Sequence, residues 1–200
     1  YRQSSGRVFL QNREITALPP ERLARFGLVR TFQNIELFGQ MTVLENVMVG
    51  LHSRSSSGIF SSALKLPTHL REERRVRHEA RQWLEFVGIS DLAELPAASL
   101  PFGKGRLLEI ARALALKPRI LFMDEPAAGL NSRETMDLGL LIRRIRDLGI
   151  TVVLVEHDME LVMDICEQIF VLNLGKLLAE GAPRQIQENQ AVIAAYLGEG

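Results

Sequence analysis

The stretch ILFMDEPAAGLN, residues 120–131, decides how the rest of the chain is read. Four apolar residues lead into Asp124 and Glu125, and Pro126 ends the run. A short, continuous apolar run is the pattern of a strand buried on both faces of a parallel sheet. Open α/β sheets bind ligands at the carboxyl ends of their strands. Adjacent strand residues point to opposite sides, but a turn at Pro126 lets both carboxylates reach one phosphate site. Asp124 is then the natural Mg²⁺ ligand, since hard cations take oxygen donors. Glu125 is the group to polarise an attacking water. A DE pair at a surface turn is common by itself; the apolar run before it and the proline after it favour the catalytic reading.

Such a site also needs a glycine-rich phosphate loop, G-x-x-x-x-G-K-[ST]. Gly-Lys occurs at Gly103-Lys104 and Gly175-Lys176, and the positions five residues before those glycines are Ala98 and Phe170. Neither fits. The 200 residues therefore carry the metal-and-base half of a nucleotide-hydrolysing site without a recognisable phosphate loop.

Outward from this stretch, TVVLVEH (151–157) is a second run predicted as a buried strand, ending at His157. Parallel neighbours bring their ends to one rim, so His157 is expected near Glu125 and a γ-phosphate. Alone, a helix-start histidine with no catalytic duty is the commoner reading. LPFGKG (100–105) puts two glycines before a helix predicted over RLLEIARALALKP and stopped at Pro118. Backbone N–H groups at a helix start bind anions, and Lys104 and Arg106 add positive charge. Gln33, in RTFQNIELF, is a neutral oxygen donor for Mg²⁺ or water, although an exposed loop amide is commoner on single-residue evidence. Residues 71–81 alternate arginines with Glu72, Glu73 and Glu79, which reads as a solvated helix face with i,i+4 pairs.

The remaining elements follow from local signals. RVFLQNREIT reads as strand, turn and second edge; PPERLARFGL as a short helix begun by proline; VRTFQNIELFGQM as extended or loop-like. TVLENVMVGL is a helix with a capping box, Thr42 and Glu45. A Ser-rich aperiodic segment follows, then a charged helix closed by Gly88. A helix runs from Ser132 to about Gly149. Another is capped by Asp158. IFVLNLGKLLAEG reads as a hairpin around Leu174-Gly175, and PRQIQENQAVIAAYL as one terminal helix. Alternating strands and helices over 107–170 predict a parallel sheet covered on both faces.

The totals exclude several classes of function. Lys+Arg and Asp+Glu are both 24, so no net field draws the chain to nucleic acid. One cysteine, Cys166, excludes an internal disulfide and fits a reducing compartment. No apolar run approaches membrane-spanning length.

The order of the motifs carries the identification. Gln33, LPFGKGRLLEIARA, ILFMDEP, AGLN and VEHD, in that sequence, resemble the Q-loop, signature, Walker B, D-loop and H-loop of the ATP-binding cassette (ABC) ATPases. LPFGKGRLLEIARALA, EPAAGLNSRET, VEHDMELVMDICEQIFVLNLGKLLAEGAP and AVIAAYLGEG are similar to the ATPase subunits of branched-chain amino-acid importers, most of all the larger, LivG-type subunit. The lipopolysaccharide-export ATPase is the next most similar group. The resemblance implies an α/β fold: a P-loop NTPase-like core with a mainly parallel sheet plus a helical subdomain. It divides the chain into a core remainder (1–34), a helical subdomain docking on membrane subunits (35–98), and the signature helix, Walker B and H-loop core with C-terminal hairpin and helix (99–200).

It also implies roles. ATP and Mg²⁺ are the expected ligands. Asp124 and Gln33 would hold Mg²⁺, Glu125 would be the catalytic base, and His157 would sense the γ-phosphate. Leu100, Pro101, Phe102, Gly103 and Lys104 would contact ATP held by a partner cassette, and residues 128–131, with Asn131, would form the D-loop across the dimer. Transmembrane permease subunits, a second ATPase subunit in a homo- or heterodimer and, indirectly, an extracytoplasmic binding protein are the expected partners, at the cytoplasmic face of the membrane, with no nucleic acid. The signature departs from LSGGQ at Pro101, Phe102 and Lys104; Gly105 stands where Gln is common, and Ser132 where Pro is usual. In this family SSGRVFL follows shortly after the phosphate loop, so the N-terminal strand and loop are expected to be missing from these residues. An incomplete reading of a longer gene is favoured because Tyr1 is not a normal start; a decayed gene or a degenerate, non-catalytic subunit are the alternatives. The missing strand is expected next to the Asp124 strand, so the 200 residues alone should be poorly soluble and inactive.

Overall fold

The computed structural model describes residues 5–31, 36–52 and 67–197. Gln33 and most of the Ser-rich segment lie outside these ranges. A hairpin opens the described chain: β1 (Phe9–Leu10) pairs antiparallel with β2 (Arg13–Glu14). Gln11 and Asn12 between them both have positive φ, the two-residue turn that matches strand twist. α1 (Pro20–Arg25) begins on proline, where a missing N–H costs no helical hydrogen bond.

The centre is a three-stranded parallel sheet in the order β3 (Leu28–Arg30), β4 (Ile120–Asp124), β5 (Thr151–Val155). β3 takes Leu28 from the end of the segment read as a short helix and Val29 and Arg30 from the one read as extended or loop-like; three residues are too few to give a periodic signal. β4 is hydrogen-bonded on both sides. The expectation that a further strand lies beside it is therefore corrected: among the described residues, the open edges belong to β3 and β5. Burial also differs from expectation. In β4, Leu121 and Met123 are buried while Ile120 and Phe122 are only partly so. β5 is not a buried strand: Val153 is 38 % and Val155 58 % exposed. The described residues cover one face of the sheet well and leave the other partly open at its edge strand.

Helices cover the buried face. α2 (Val43–His52), α3 (Pro67–Phe86) and α4 (Phe102–Ala115) pack with α5 (Ser132–Asp147) and β4 into one apolar core that includes Leu44, Leu84, Leu108, Leu121 and Ile145. α2 meets α4 at very short range, because a Cβ on Gly50 would stand 2.7 Å from the Arg112 carbonyl oxygen. Buried Asn46 ties the segment before α2 to that helix. Its Oδ1 accepts from the Phe38 N–H at 2.9 Å and its Nδ2 donates to the Phe38 and Thr42 carbonyls. From α3, Arg81 reaches Glu94 and Glu79 reaches Lys117, so these two side chains bridge off the helix rather than along it.

The capping box of α2 forms as the sequence suggests. Thr42 Oγ1 accepts from the Glu45 N–H at 3.1 Å, and Glu45 Oε2 accepts from the Thr42 N–H at 2.8 Å. Bonds from the Thr42 backbone and hydroxyl hold the Glu45 carboxyl below its ordinary value. Its contribution is therefore present above the unfolded carboxylate pKa and is lost as pH falls through the lower folded value. Thr42→Ala is expected to cost about 1 kcal/mol, read as a shift in urea midpoint at neutral pH; a shift indistinguishable from zero would show that the box does not hold the helix.

α6 (Met159–Ile165) follows β5. The chain then forms a hairpin of β6 (Ile169–Asn173) and β7 (Lys176–Gly181), turning at Leu174 and Gly175, both at positive φ. The single terminal helix expected from sequence is two, α7 (Pro183–Gln187) and α8 (Gln190–Leu197). Asn189 separates them, and its Oδ1 accepts from the Ala191 N–H at 2.9 Å. Val162, Ile169, Ala179, Ile186 and Val192 close a second apolar cluster beneath the hairpin.

Candidate active site

Asp124 is the last residue of β4, and Glu125 begins the turn after it. The Glu125 N–H still donates to the Val155 carbonyl at 2.8 Å, so its backbone is held in the sheet. Its φ is +44°, a strained conformation for a residue with a Cβ. That twist turns the side chain out of the strand's alternation. The turn closes with the Ala128 N–H donating to the Glu125 carbonyl at 3.1 Å. Both carboxylates thus sit at one rim, as the sequence predicts.

His157 follows β5 at the same rim. Its Nδ1 lies 3.9 Å from Glu125 Oε1 and 3.8 Å from Glu156 Oε2, while its side chain is 74 % exposed. A solvent-facing imidazole beside a half-covered carboxylate can meet a ligand that approaches the rim. Asp158 caps α6 by accepting from the Leu161 N–H at 3.1 Å.

Two neighbours were not singled out from sequence. Arg30, at the end of β3, donates to Asp124 Oδ2 at 2.5 Å. Only the parallel register, Arg30 opposite Phe122, brings it there. Glu156 is the other, its carboxylate buried between the Glu125 turn and the His157 backbone. Each is one charge among many in the chain, and no local pattern distinguishes it.

The signature segment differs from expectation in one respect. The helix starts at Phe102 rather than Arg106, with Pro101 at its cap position. Gly103 and Gly105 therefore lie inside the first turns instead of before the helix, and Gly105 is buried. Leu100 is half-buried and Lys104 exposed at the helix start. Proline at the cap fixes the entry to the helix and offers no side-chain acceptor to its first N–H groups. This end packs on the loop after Glu125. A Cβ on Gly129 would stand 2.9 Å from the Phe102 ring, and one on Gly103 would stand 2.5 Å from Glu134 Oε1. Asn131 caps α5: its Oδ1 accepts from the Glu134 N–H at 3.0 Å, and Glu134 accepts from the Asn131 N–H at 3.0 Å. Gln33 lies outside the described residues.

The donor set suits Mg²⁺ in the way that ion binds nucleotides, through one or two carboxylates, several waters and substrate phosphates. Asp124 presents one carboxylate at the rim with Arg30 on Oδ2 only among its described contacts. Among the described residues there is no cluster of three or more His, Cys, Asp or Glu that would form an all-protein metal cage.

The family model described as ABC transporter matches residues 1–128. The chain belongs to the ABC transporter ATP-binding family. A second model, described as branched-chain amino acid ATP-binding cassette transporter, matches residues 176–200 of this ABC ATPase. Among its relatives, the high-affinity branched-chain amino acid transport ATP-binding protein BraF of Pseudomonas aeruginosa is 46% identical over all of this chain and 78% of its own length. LivG of Escherichia coli K12, with the same descriptive name, is 44% identical with the same coverage. The lipopolysaccharide export system ATP-binding protein LptB of Acidithiobacillus ferridurans is 35% identical, over 99% of this chain and 76% of its own. Among solved structures, an ATP-binding cassette of an ABC transporter in its ADP conformation superposes with a TM-score of 0.81 at 32% identity, covering 98% of this chain and 78% of that one. A dimeric cassette in a post-hydrolysis state with ADP and Pi gives 0.73 at 25% identity, covering 90% and 75%. The expected α/β cassette fold and ABC ATPase family are both borne out.

Proposed function

We propose that this ABC ATPase powers the import of branched-chain amino acids. The observation that carries the reading is its 44–46% identity, along the whole chain, to BraF and LivG. It is supported by the separate match of residues 176–200 and by the lower identity, 35%, to the lipopolysaccharide-export protein.

In this reading Glu125 draws the proton from the water that attacks the γ-phosphate, held for that task by its strained backbone. His157 contacts the γ-phosphate from the neighbouring strand end. Asp124, with Gln33, would hold Mg²⁺, which would supply charge neutralisation to the nucleotide phosphates. Leu100 to Lys104 face the nucleotide of a partner cassette in a dimer, where the open N–H groups of the helix start suit phosphate oxygens. Residues 128–131, Asn131 among them, face that partner. The region from 35 to 98 docks on permease subunits at the cytoplasmic face of the membrane, and an extracytoplasmic binding protein delivers the substrate. Among the described residues no helix is long and apolar enough to cross a membrane, which suits a subunit that borrows its membrane span.

Deleting the gene in its source strain and following uptake of labelled leucine, isoleucine and valine tests the substrate class. Uptake should fall at micromolar substrate and return with the wild-type gene. Unchanged uptake with a defect in lipopolysaccharide delivery would favour the export reading instead.

A further inference from the structure

Past the bond from Glu125 N–H to Val155, the β4 and β5 chains separate, and among the described residues no further ladder bond joins them. What spans the divergence is the Glu156 carboxylate, 1 % exposed. Oε1 accepts from the Ala127 N–H at 2.9 Å. Oε2 accepts from the His157 N–H at 3.0 Å and the Asp158 N–H at 3.3 Å. One oxygen thus serves the turn that carries Glu125, and the other serves the backbone that carries His157. Bonds from N–H groups to an ionised carboxylate are about twice as strong as neutral ones, and a buried carboxylate without such donors is costly.

We propose that Glu156 is a positioning residue for ATP hydrolysis: its carboxylate holds the Glu125 turn and the His157 backbone as one unit, and so sets the spacing between base and histidine. This rests on the roles proposed above for those two residues. The geometry gives the reason a carboxylate is needed. The donors it serves belong to two different loops and point at it from both sides, so a group with one acceptor atom can satisfy only one loop. Glu156→Gln keeps one oxygen and turns an amide N–H₂ toward the donors of the other loop. The two loops then part while the side-chain volume is kept.

The test is a double-mutant cycle in the assembled transporter, with ATP turnover measured for wild type, Glu156→Gln, His157→Ala and the double variant. Glu156→Gln should lower kcat by about 10–100-fold, the scale of a small misplacement of reacting groups, and leave KM for ATP within about threefold. In the His157→Ala background the same change should lower kcat by a smaller factor, because the part set by the spacing of base and histidine is already lost and only the loosened Glu125 turn still contributes. A Glu156→Gln variant with wild-type turnover would overturn the proposal, and so would a loss equally large in both backgrounds, which marks a purely structural residue. If His157→Ala itself leaves turnover intact, the role given to His157 fails first and this inference falls with it, an outcome distinct from the other two. Should Glu156→Gln not fold, Glu156→Asp, which keeps both oxygens but draws them back by one methylene, is read through the same cycle.

Discussion

Glu125→Gln in the assembled transporter is expected to lower ATP turnover by about 10²–10⁴-fold while leaving ATP binding close to wild type. The amide keeps the size and the hydrogen-bonding reach of the carboxylate but cannot accept the proton of the attacking water. Because Glu125 is already held at a φ of +44°, the substituted side chain has the same fixed backbone to project from. Loss of turnover is then a loss of chemistry and not of placement. A filter-binding assay with radiolabelled ATP, run beside phosphate release, separates the two. Turnover within about tenfold of wild type would remove Glu125 from the role of base and direct attention to the neighbouring acids of the rim.

Glu109→Ala is expected to destabilise the signature helix strongly. Arg106 and Glu109 lie one turn apart on α4, 2.8 Å from each other, each with a side chain only 2 % exposed. Removing one partner of a buried pair costs about 3–5 kcal/mol, because the remaining charge stays where water cannot reach it. For a domain of this size that corresponds to a fall in Tm of about 6–20 °C, followed by far-UV circular dichroism. Replacing both, as Arg106→Met with Glu109→Leu, should recover most of the loss, since the desolvation of two charges disappears with them. A Glu109→Ala shift of less than about 2 °C would mean that the pair is not the anchor of this helix. The Phe102 ring lies 5.9 Å from the Arg106 guanidinium and packs on Gly129. Loosening the pair is therefore also expected to disturb the contact between the signature helix and the loop after Glu125.

Much of this was legible in the residues themselves. Asp124, Glu125 and His157 could be placed because apolar runs announce strands and strand ends gather at one rim. Thr42 and Glu45, Asp158 and Gly88 follow local rules that act within four residues. What could not be read depends on partners far apart in sequence. Arg30 reaches Asp124 only through strand register, and Glu156 reaches Ala127 only because two loops converge. The exposed side of β5 depends on what packs over an edge strand, which its apolar composition does not record. The start of α4 was misplaced because glycines usually interrupt helices. Here Gly103 lies against Glu134, and Gly105 is buried within the helix. Lone residues in three-residue strands such as Leu28–Arg30 are below the length at which a period can be counted.

The crossing of α2 over α4 at Gly50 has a mechanical meaning. Where side chains separate two helices, a push on one is partly absorbed by rotamers that yield. At Gly50 the α2 backbone sits against the α4 backbone with no room for even a methyl group, and close-packed interiors transmit strain. The joint therefore has almost no slack. A tilt imposed on α2 is handed directly to α4, whose far end leads through Pro118 into β4 and Asp124. A larger residue at this position would work as a shim, setting the two helices at a new resting angle and detuning whatever signal passes along them.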